Sequence, residues 1–543
     1  MPHTLSGKQG LEFLGEMSLF VKASFTILVA FIISKALKYR RNLQTVSYLP
    51  GLRPAFFPMT IPGLVIPTTW WNPGIMFTWA WRFHLYKWFG SETISLVPFL
   101  SGPVALYTSN LDVARQVAGG SVTTNFVKPE QFSRSLLFFG MNLVAADGET
   151  WRTHRRLMAP SFNNDLYDLV WTETLKTYHE MIRSDGWDKE SIIDQPVVQK
   201  ITFKLALLII GKCGFGFPFD WATPPISEDG SMSMQEALRI ISDTNTYALF
   251  LPKWTHDLPF KKLKDMRTAH AQFRNFMHAQ IATKKDRIHL QSAGTMDDSA
   301  DSDFFTTLVR ANEGQGSKLK LSDDELIGNV FIMLFAGHET TAHTLAVALG
   351  YLAIYEEVQE EIYEQIVSVC GTENDPELSH YPKLDKVLAA FYEASRLFPS
   401  GFIMIREAHR DTTLQLPNPV GQEGHTTIPI PKGTQVIVDM IGVQYNPRYY
   451  EKPEEYRPSR WYGVGNESET FTAFSIGPRA CLGRKFATTE AVCYLAMLLR
   501  DYTVRPILRP GESKEQWKER VLDAKVVMTL GVQDVPLRFT RRT

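Results

Sequence analysis

Phe474-Ser475-Ile476-Gly477-Pro478-Arg479-Ala480-Cys481-Leu482-Gly483 places one cysteine in a glycine-rich loop, two residues after an arginine. The apolar stretch Ala487 to Leu499 follows at once. A cysteine beside apolar sequence is ordinarily an inert core residue. Its neighbours here point elsewhere. Gly477 and Gly483 let the backbone approach a flat ligand closely, and Pro478 stiffens the loop. Backbone N–H groups around the sulfur can hydrogen-bond it and tune it. A thiolate so placed suits the axial position of a haem iron, where thiolate ligation favours O–O cleavage. Arg479 then stands where it can pair with an anionic propionate.

The rest of the chain bounds what that loop can serve. With 543 residues and 44% hydrophobic content, the chain can bury a large core. A net charge of −1 speaks against a dedicated nucleic-acid binder. Cys213, Cys370, Cys481 and Cys493 are widely scattered with no CxxC pair, so a disulfide framework is not expected and a reducing compartment is. No internal repeat is visible.

Residues 1–45 read as an N-terminal membrane anchor. The stretch Phe25 to Ile33 carries no charge, and a span of roughly 14–37 reaches the length of about 20 residues that a bilayer requires by tolerating Glu16, Lys22 and Lys35. Lys35, Lys38, Arg40 and Arg41 form a basic cluster that the positive-inside rule places in the cytosol. An amphipathic or core helix is the competing reading. A proline-rich linker, 46–67, follows. The tryptophans between Trp70 and Trp88 suit either a membrane interface or plain core packing.

From about residue 145 to 400 the pattern is helical, with helices expected at Trp171 to Arg183, Val197 to Gly211, Met234 to Leu249 and Lys262 to Ile288. Ser322-Asp323-Asp324-Glu325 is a capping box that opens a long apolar helix to about Glu356. Joints are expected at Pro224 to Ser233 and Gln291 to Ser302. Strands are expected at Thr412 to Leu416, Thr426 to Ile430 and Thr434 to Met440. Lys525 to Leu530 and Val535 to Phe539 read as a closing hairpin. The fold class is therefore mainly α with a small β portion, one catalytic domain over 68–543.

Three more clusters carry chemistry. Ala336-Gly337-His338-Glu339-Thr340-Thr341 lies inside the long helix. Gly337 costs that helix about 1 kcal/mol relative to Ala, so something is expected to approach its backbone. A hydroxyl next to a carboxylate can relay protons, although Thr340 can also simply bond back to the preceding turn. A zinc site on His338 needs a histidine four residues on, and position 342 is alanine. Glu393 and Arg396 are spaced to face each other on a helix, with Arg460 available downstream as a second partner. Trp151 and Arg155 share one helix face that can grip a carboxylate and cover a ring edge.

Together these four clusters, in this order, resemble the cytochrome P-450 family of haem-thiolate monooxygenases. The likeness covers nearly the whole chain after the linker and is closest to membrane-bound fungal members acting in secondary metabolism. The resemblance implies haem b (iron protoporphyrin IX) with Cys481 as axial iron ligand and Phe474 packed beside it. It implies Glu339 and Thr340 as the acid–alcohol pair, and Glu393, Arg396 and Arg460 as a structural triad. Trp151, Arg155, Arg479 and Arg406 match positions that hold propionates. Ser459 stands where the family usually has an acid, and Gln444-Tyr445-Asn446 replaces a His-Arg-Asp stretch. No dinucleotide fingerprint is present, so NADPH is used indirectly, through an NADPH-cytochrome reductase, with cytochrome b5 as a second donor. The implied setting is the endoplasmic reticulum membrane with the catalytic body facing the cytosol, which would leave the sequon Asn466-Glu467-Ser468 unmodified. The implied substrate is hydrophobic and terpenoid-like, with a fatty acid or alkane as runner-up. A reductase-independent isomerase or dehydratase is the alternative of another class. Leu136 to Phe139, Phe331 to Leu334, Phe402 to Ile405 and Leu530 to Val532 are expected to line the pocket.

Overall fold

The structure, a computed structural model, describes residues 19–542 apart from 120–124, 135, 138, 218, 223–225, 227–231, 251–252, 293–302, 314–318, 419–421, 465–469 and 527–528. The sequon at Asn466, the first residues of the expected span and most of the two expected joints lie outside the described residues. The chain divides into two compact units, Met1–Thr108 with Glu407–Ile437, and Ser109–Arg406 with Val438–Thr543.

The smaller unit begins with helix α1, Leu19–Thr45. Its apolar side chains Phe25, Ile27, Leu28, Phe31, Ile32 and Ile33 are exposed. The expected membrane span is not supported: among the described residues no helix is long and apolar enough to cross a membrane. The physical reason is the basic second half, where Lys35, Lys38, Arg40 and Arg41 lie on the same helix. Lys35 is turned back onto its own unit, its Nζ donating to the Leu100 carbonyl at 2.7 Å. Tyr39 meets Phe99 edge-on nearby. The tryptophans are split: Trp79 is buried, while Trp70 and Trp88 are exposed. Strands Thr93–Leu96 and Ala105–Thr108 pair antiparallel, and Gly51–Leu52 joins the first in parallel. A side chain at Gly51 would meet the Ser95 carbonyl at 1.9 Å, so only glycine allows that pairing. Thr412–Pro417 and His425–Ile430 form a hairpin in which Leu414, Leu416, Ile428 and Ile430 share the buried face, the period of two expected of strands.

The larger unit is helical: α2 Leu111–Ala118, α3 Gly148–Met158, α4 Asn164–Ser184, α5 Gln199–Ile209, α6 Met234–Phe250, α7 Lys261–Ser292, α8 Phe304–Glu313, α9 Asp323–Ile354, α10 Glu356–Cys370, α11 Asp385–Leu397, α12 Arg484–Asp501 and α13 Lys514–Val521. Ser322 and Glu325 close the capping box of α9, and its acidic first turn complements the helix dipole. Most of α9 is buried on every side, as a helix apolar all round must be. It packs on α5, α11 and strand Tyr502–Pro506, while α12 packs on α4, α10 and α11. These two helices form the core that carries the site. Helix α5 does not reach Gly211 as an α-helix; Ile210–Gly214 forms a π turn instead.

The expected closing hairpin is not formed. Lys525–Val526 pairs with Leu530–Gly531. Leu537–Arg541 pairs with Tyr502–Pro506 on one side and with Ile192–Gln195 on the other. Phe539 packs on Trp187 with ring centres 5.0 Å apart and planes tilted by 44°, so burial against a distant tryptophan outweighs pairing with the nearest strand.

Candidate active site

A cavity of about 530 Å³ lies inside the larger unit. Phe474, Ala480, Cys481 and Gly483 form one wall; Met333, Gly337, Thr340 and Thr344 of α9 form another. The cysteine loop is bent by two left-handed residues, Ser475 (φ 65°) and Gly477 (φ 72°), and closed by the Cys481 N–H donating to the Phe474 carbonyl at 2.9 Å. Cys481 is exposed to the cavity, and a side chain at Gly483 would stand 4.0 Å from its Sγ. Gly477 does not line the cavity; its glycine serves the turn, with Ala118 beside it. Burial pushes the Cys481 thiol up, against the opposing pull of the Gly483 N–H, Arg155 and Arg484. A bound metal ion would supply the positive charge that holds the sulfur as thiolate.

A cradle of cations rims the same cavity. Arg155 donates to the Ala480 carbonyl at 3.0 Å. Arg479 lies over the Trp151 ring at 4.5 Å, donates to the Ala146 carbonyl at 3.0 Å and pairs with Asp147. Asp147 also caps α3. Arg406 is buried, and desolvation with repulsion from Arg479 lowers it to about 10. Lys128, which no local pattern singled out, joins them; burial first, then Arg479 and Arg406, push its ammonium well below the usual lysine range. Its backbone N–H binds Asp147 at 3.1 Å. The Nε atoms of Arg406 and Arg479 are buried without a hydrogen-bond partner. Four cations at the rim of one cavity, two with orphaned donors, fit a ligand bearing carboxylates. A thiol, this cradle and an apolar cavity between them fit haem.

On α9 the expected pair is split. Thr340 lines the cavity and its hydroxyl donates to the Ala336 carbonyl at 2.7 Å. Glu339 is buried and does not line it. Its Oε1 accepts from the Thr529 hydroxyl at 2.7 Å and the Thr529 N–H at 3.2 Å. The approach expected at Gly337 comes from Ile210 in the π turn, whose Cδ1 would lie 3.1 Å from an added side chain. His338 and His343 both meet the Phe203 ring edge-on, and burial lowers each to about 4, leaving them neutral.

The structure brings Glu393, Arg396 and Arg460 together. Glu393 Oε1 accepts from Arg396 Nη2 at 2.8 Å and Arg460 Nε at 2.9 Å; Oε2 accepts from Arg396 Nε at 2.9 Å. Two further donors were not foreseen: Trp461 Nε1 at 2.7 Å and the Arg457 N–H at 3.0 Å. Arg396 also binds the Gln444 and Pro453 carbonyls, each at 2.8 Å. Of the expected pocket segments, Leu136, Met333 and Ile403 to Ile405 line the cavity. Phe139 instead packs on Phe331 at 4.6 Å, and Leu530 and Val532 are buried away from it.

A mainly helical enzyme built around a cysteine loop and a largely apolar cavity is the class this geometry defines. The profile of the cytochrome P-450 family matches residues 97–528. The chain is 32% identical over 520 residues to cytochrome P-450 monooxygenase 124 of Postia placenta, covering 94% of this chain and 97% of that one. It is 24% identical to a phomenoic acid biosynthesis cluster cytochrome P-450 monooxygenase of Leptosphaeria maculans, over 74% of each. The crystal structure of the cytochrome P-450DA heme domain superposes with a TM-score of 0.69 at 18% identity, covering 91% of this chain and 98% of that one. The chain belongs to the cytochrome P-450 family, is a monooxygenase, and takes haem as the family does.

Proposed function

We propose that the protein hydroxylates or otherwise oxidises a hydrophobic, terpenoid-like secondary metabolite with electrons from an NADPH-cytochrome reductase. The observation that carries this is one cavity with Cys481 open on one wall and Thr340 on another. Bound haem supplies the activation of O₂ that inserts one oxygen atom into a C–H bond. Cys481 would hold the iron through Sγ. Lys128, Arg155, Arg406 and Arg479 would hold the carboxylates, with Trp151 covering the edge. Thr340 keeps its hydroxyl hydrogen pointed at Ala336, so Oγ1 is left to accept a hydrogen bond from a water or another donor in the cavity. Leu136, Val144, Met333 and Met404 offer apolar walls that exclude water and suit a hydrophobic substrate. The relative from a biosynthetic cluster supports secondary metabolism; a fatty acid is the runner-up substrate.

The deciding test feeds candidate terpenoids to the protein with reductase. Expected is a product heavier by one oxygen atom, formed only with NADPH and O₂. Product formed without either would replace this reading by an isomerase or dehydratase. In the same assay Thr340→Ala should raise peroxide released per NADPH several-fold, the signature of lost proton control; an unchanged ratio removes Thr340 from that role.

The exposed apolar residues of α1 with its basic cluster support attachment to the cytosolic face of the endoplasmic reticulum without a span. Deleting the residues before Pro50 should move most of the protein from the membrane fraction to the soluble fraction. Full retention would place the contact elsewhere, with exposed Trp70 and Trp88 the next candidates.

A further inference from the structure

Thr529 stands 190 residues from Glu339 in sequence, yet both of its donors converge on one oxygen of that carboxylate. It heads the short strand Leu530–Gly531, which lies along α9. Gly531 faces His343 so closely that an added side chain would come within 2.2 Å of the ring Nδ1. The Leu530 N–H donates to the Ser400 carbonyl at 3.0 Å, and Ser400 lines the cavity. One strand thus touches the cavity wall, the central helix and the carboxylate beside Thr340.

We propose that Thr529 is a positioning residue for proton supply: it holds the Glu339 carboxylate outside the cavity and ties its release to the seating of strand Leu530–Gly531. This rests on the reading of Glu339 and Thr340 as the proton-supplying pair. An oxygen that accepts two donors is best ionised. When a proton from solvent binds Oε1, an acceptor becomes a donor, one of the two Thr529 bonds is lost, and the weakened hold lets the carboxyl turn toward Thr340. Giving up the proton restores the carboxylate, which Thr529 recaptures. Nothing is oxidised or reduced in this exchange. A substrate pressing on Ser400 acts on the same strand through Leu530, so occupancy of the cavity and the proton supply are coupled.

The test uses the full chain loaded with haem, with reductase and a turned-over substrate. Thr529→Val keeps the shape and removes the hydroxyl; Thr529→Ser keeps the hydroxyl. Because a hydrogen bond to a charged group is among the stronger ones, Thr529→Val should change peroxide per NADPH by roughly threefold or more, and alter the solvent deuterium isotope effect. Thr529→Ser should restore both. Independently of turnover, Glu339→Gln should speed hydrogen exchange at the Thr529 amide. If Glu339→Gln shifts the peroxide ratio while Thr529→Val does not, the positioning role is overturned and the proton-supplying pair stands. If Glu339→Gln shifts neither ratio nor isotope effect, the pair itself falls, and the inference with it. Failure of Thr529→Ser to restore what Thr529→Val loses, or unchanged amide exchange, also overturns it.

Discussion

Cys481→Ser should leave a protein whose reduced carbon monoxide complex lacks a strongly red-shifted Soret band and whose turnover falls to background. The alcohol is far less acidic than the thiol, so the local help from the Gly483 N–H, Arg155 and Arg484 cannot make it an anionic ligand. The cradle is untouched by this change. Lys128, Arg155, Arg406 and Arg479 still offer their donors, so residual haem uptake with an altered spectrum is compatible with the assignment. The measurement is the difference spectrum of the reduced protein before and after carbon monoxide. A red-shifted band that survives the substitution would remove Cys481 from the iron. Cys481→His should move the band to the position of an ordinary histidine-ligated haem.

Glu393→Ala should be the most destabilising single change in the larger unit. Glu393 and Arg396 are both 0% exposed. Removing the carboxylate leaves the Arg396 guanidinium buried with only carbonyl partners, and it strands Trp461 Nε1 and the Arg457 N–H. Breaking a buried ion pair from one side costs about 3–5 kcal/mol, against a total stability of about 5–15 kcal/mol for a folded domain. Arg396→Ala should do the same from the other side. The expected result is little or no soluble haem-loaded protein, read by thermal denaturation and by haem content per chain. Arg460 is partly exposed, at 10% of its side chain, so Arg460→Ala should cost less than either. Equal stability of all three variants with the parent would show the triad to be incidental.

Much of this was legible in the chain itself, and the reasons are local. The capping box at Ser322 and the unbroken apolar run behind it could only be a buried helix. The spacing of Glu393 and Arg396 put them on one helix face whatever surrounded them. Gly477 and Ser475 lie in a loop whose turn chemistry is written in its own residues. Other features had no local signal. Lys128 is a lone lysine before a proline, and nothing near it in sequence says that Arg406 and Arg479 converge on it. Trp461 directly follows Arg460, yet its bond to Glu393 spans 68 residues.

The closing hairpin and the placement of Glu339 teach one physical lesson. The closing hairpin was inferred from neighbouring strand-like runs, but strands choose partners by which faces can be buried together, and Phe539 finds Trp187 and Tyr502–Pro506 across the fold. Glu339 and Thr340 are adjacent in sequence, yet only Thr340 lines the cavity. Neighbouring residues on a helix point about 100° apart, so one hydroxyl enters the cavity while the carboxylate turns to Thr529. The sequence by itself determined the helical class, the cysteine loop, the ion-pair helix and the family. Only the tertiary structure decided which side chains enter the cavity, which cations gather at its rim and what holds the acid. Local chemistry is carried by spacing along the chain, whereas convergence of distant segments depends on burial and packing that no short window contains.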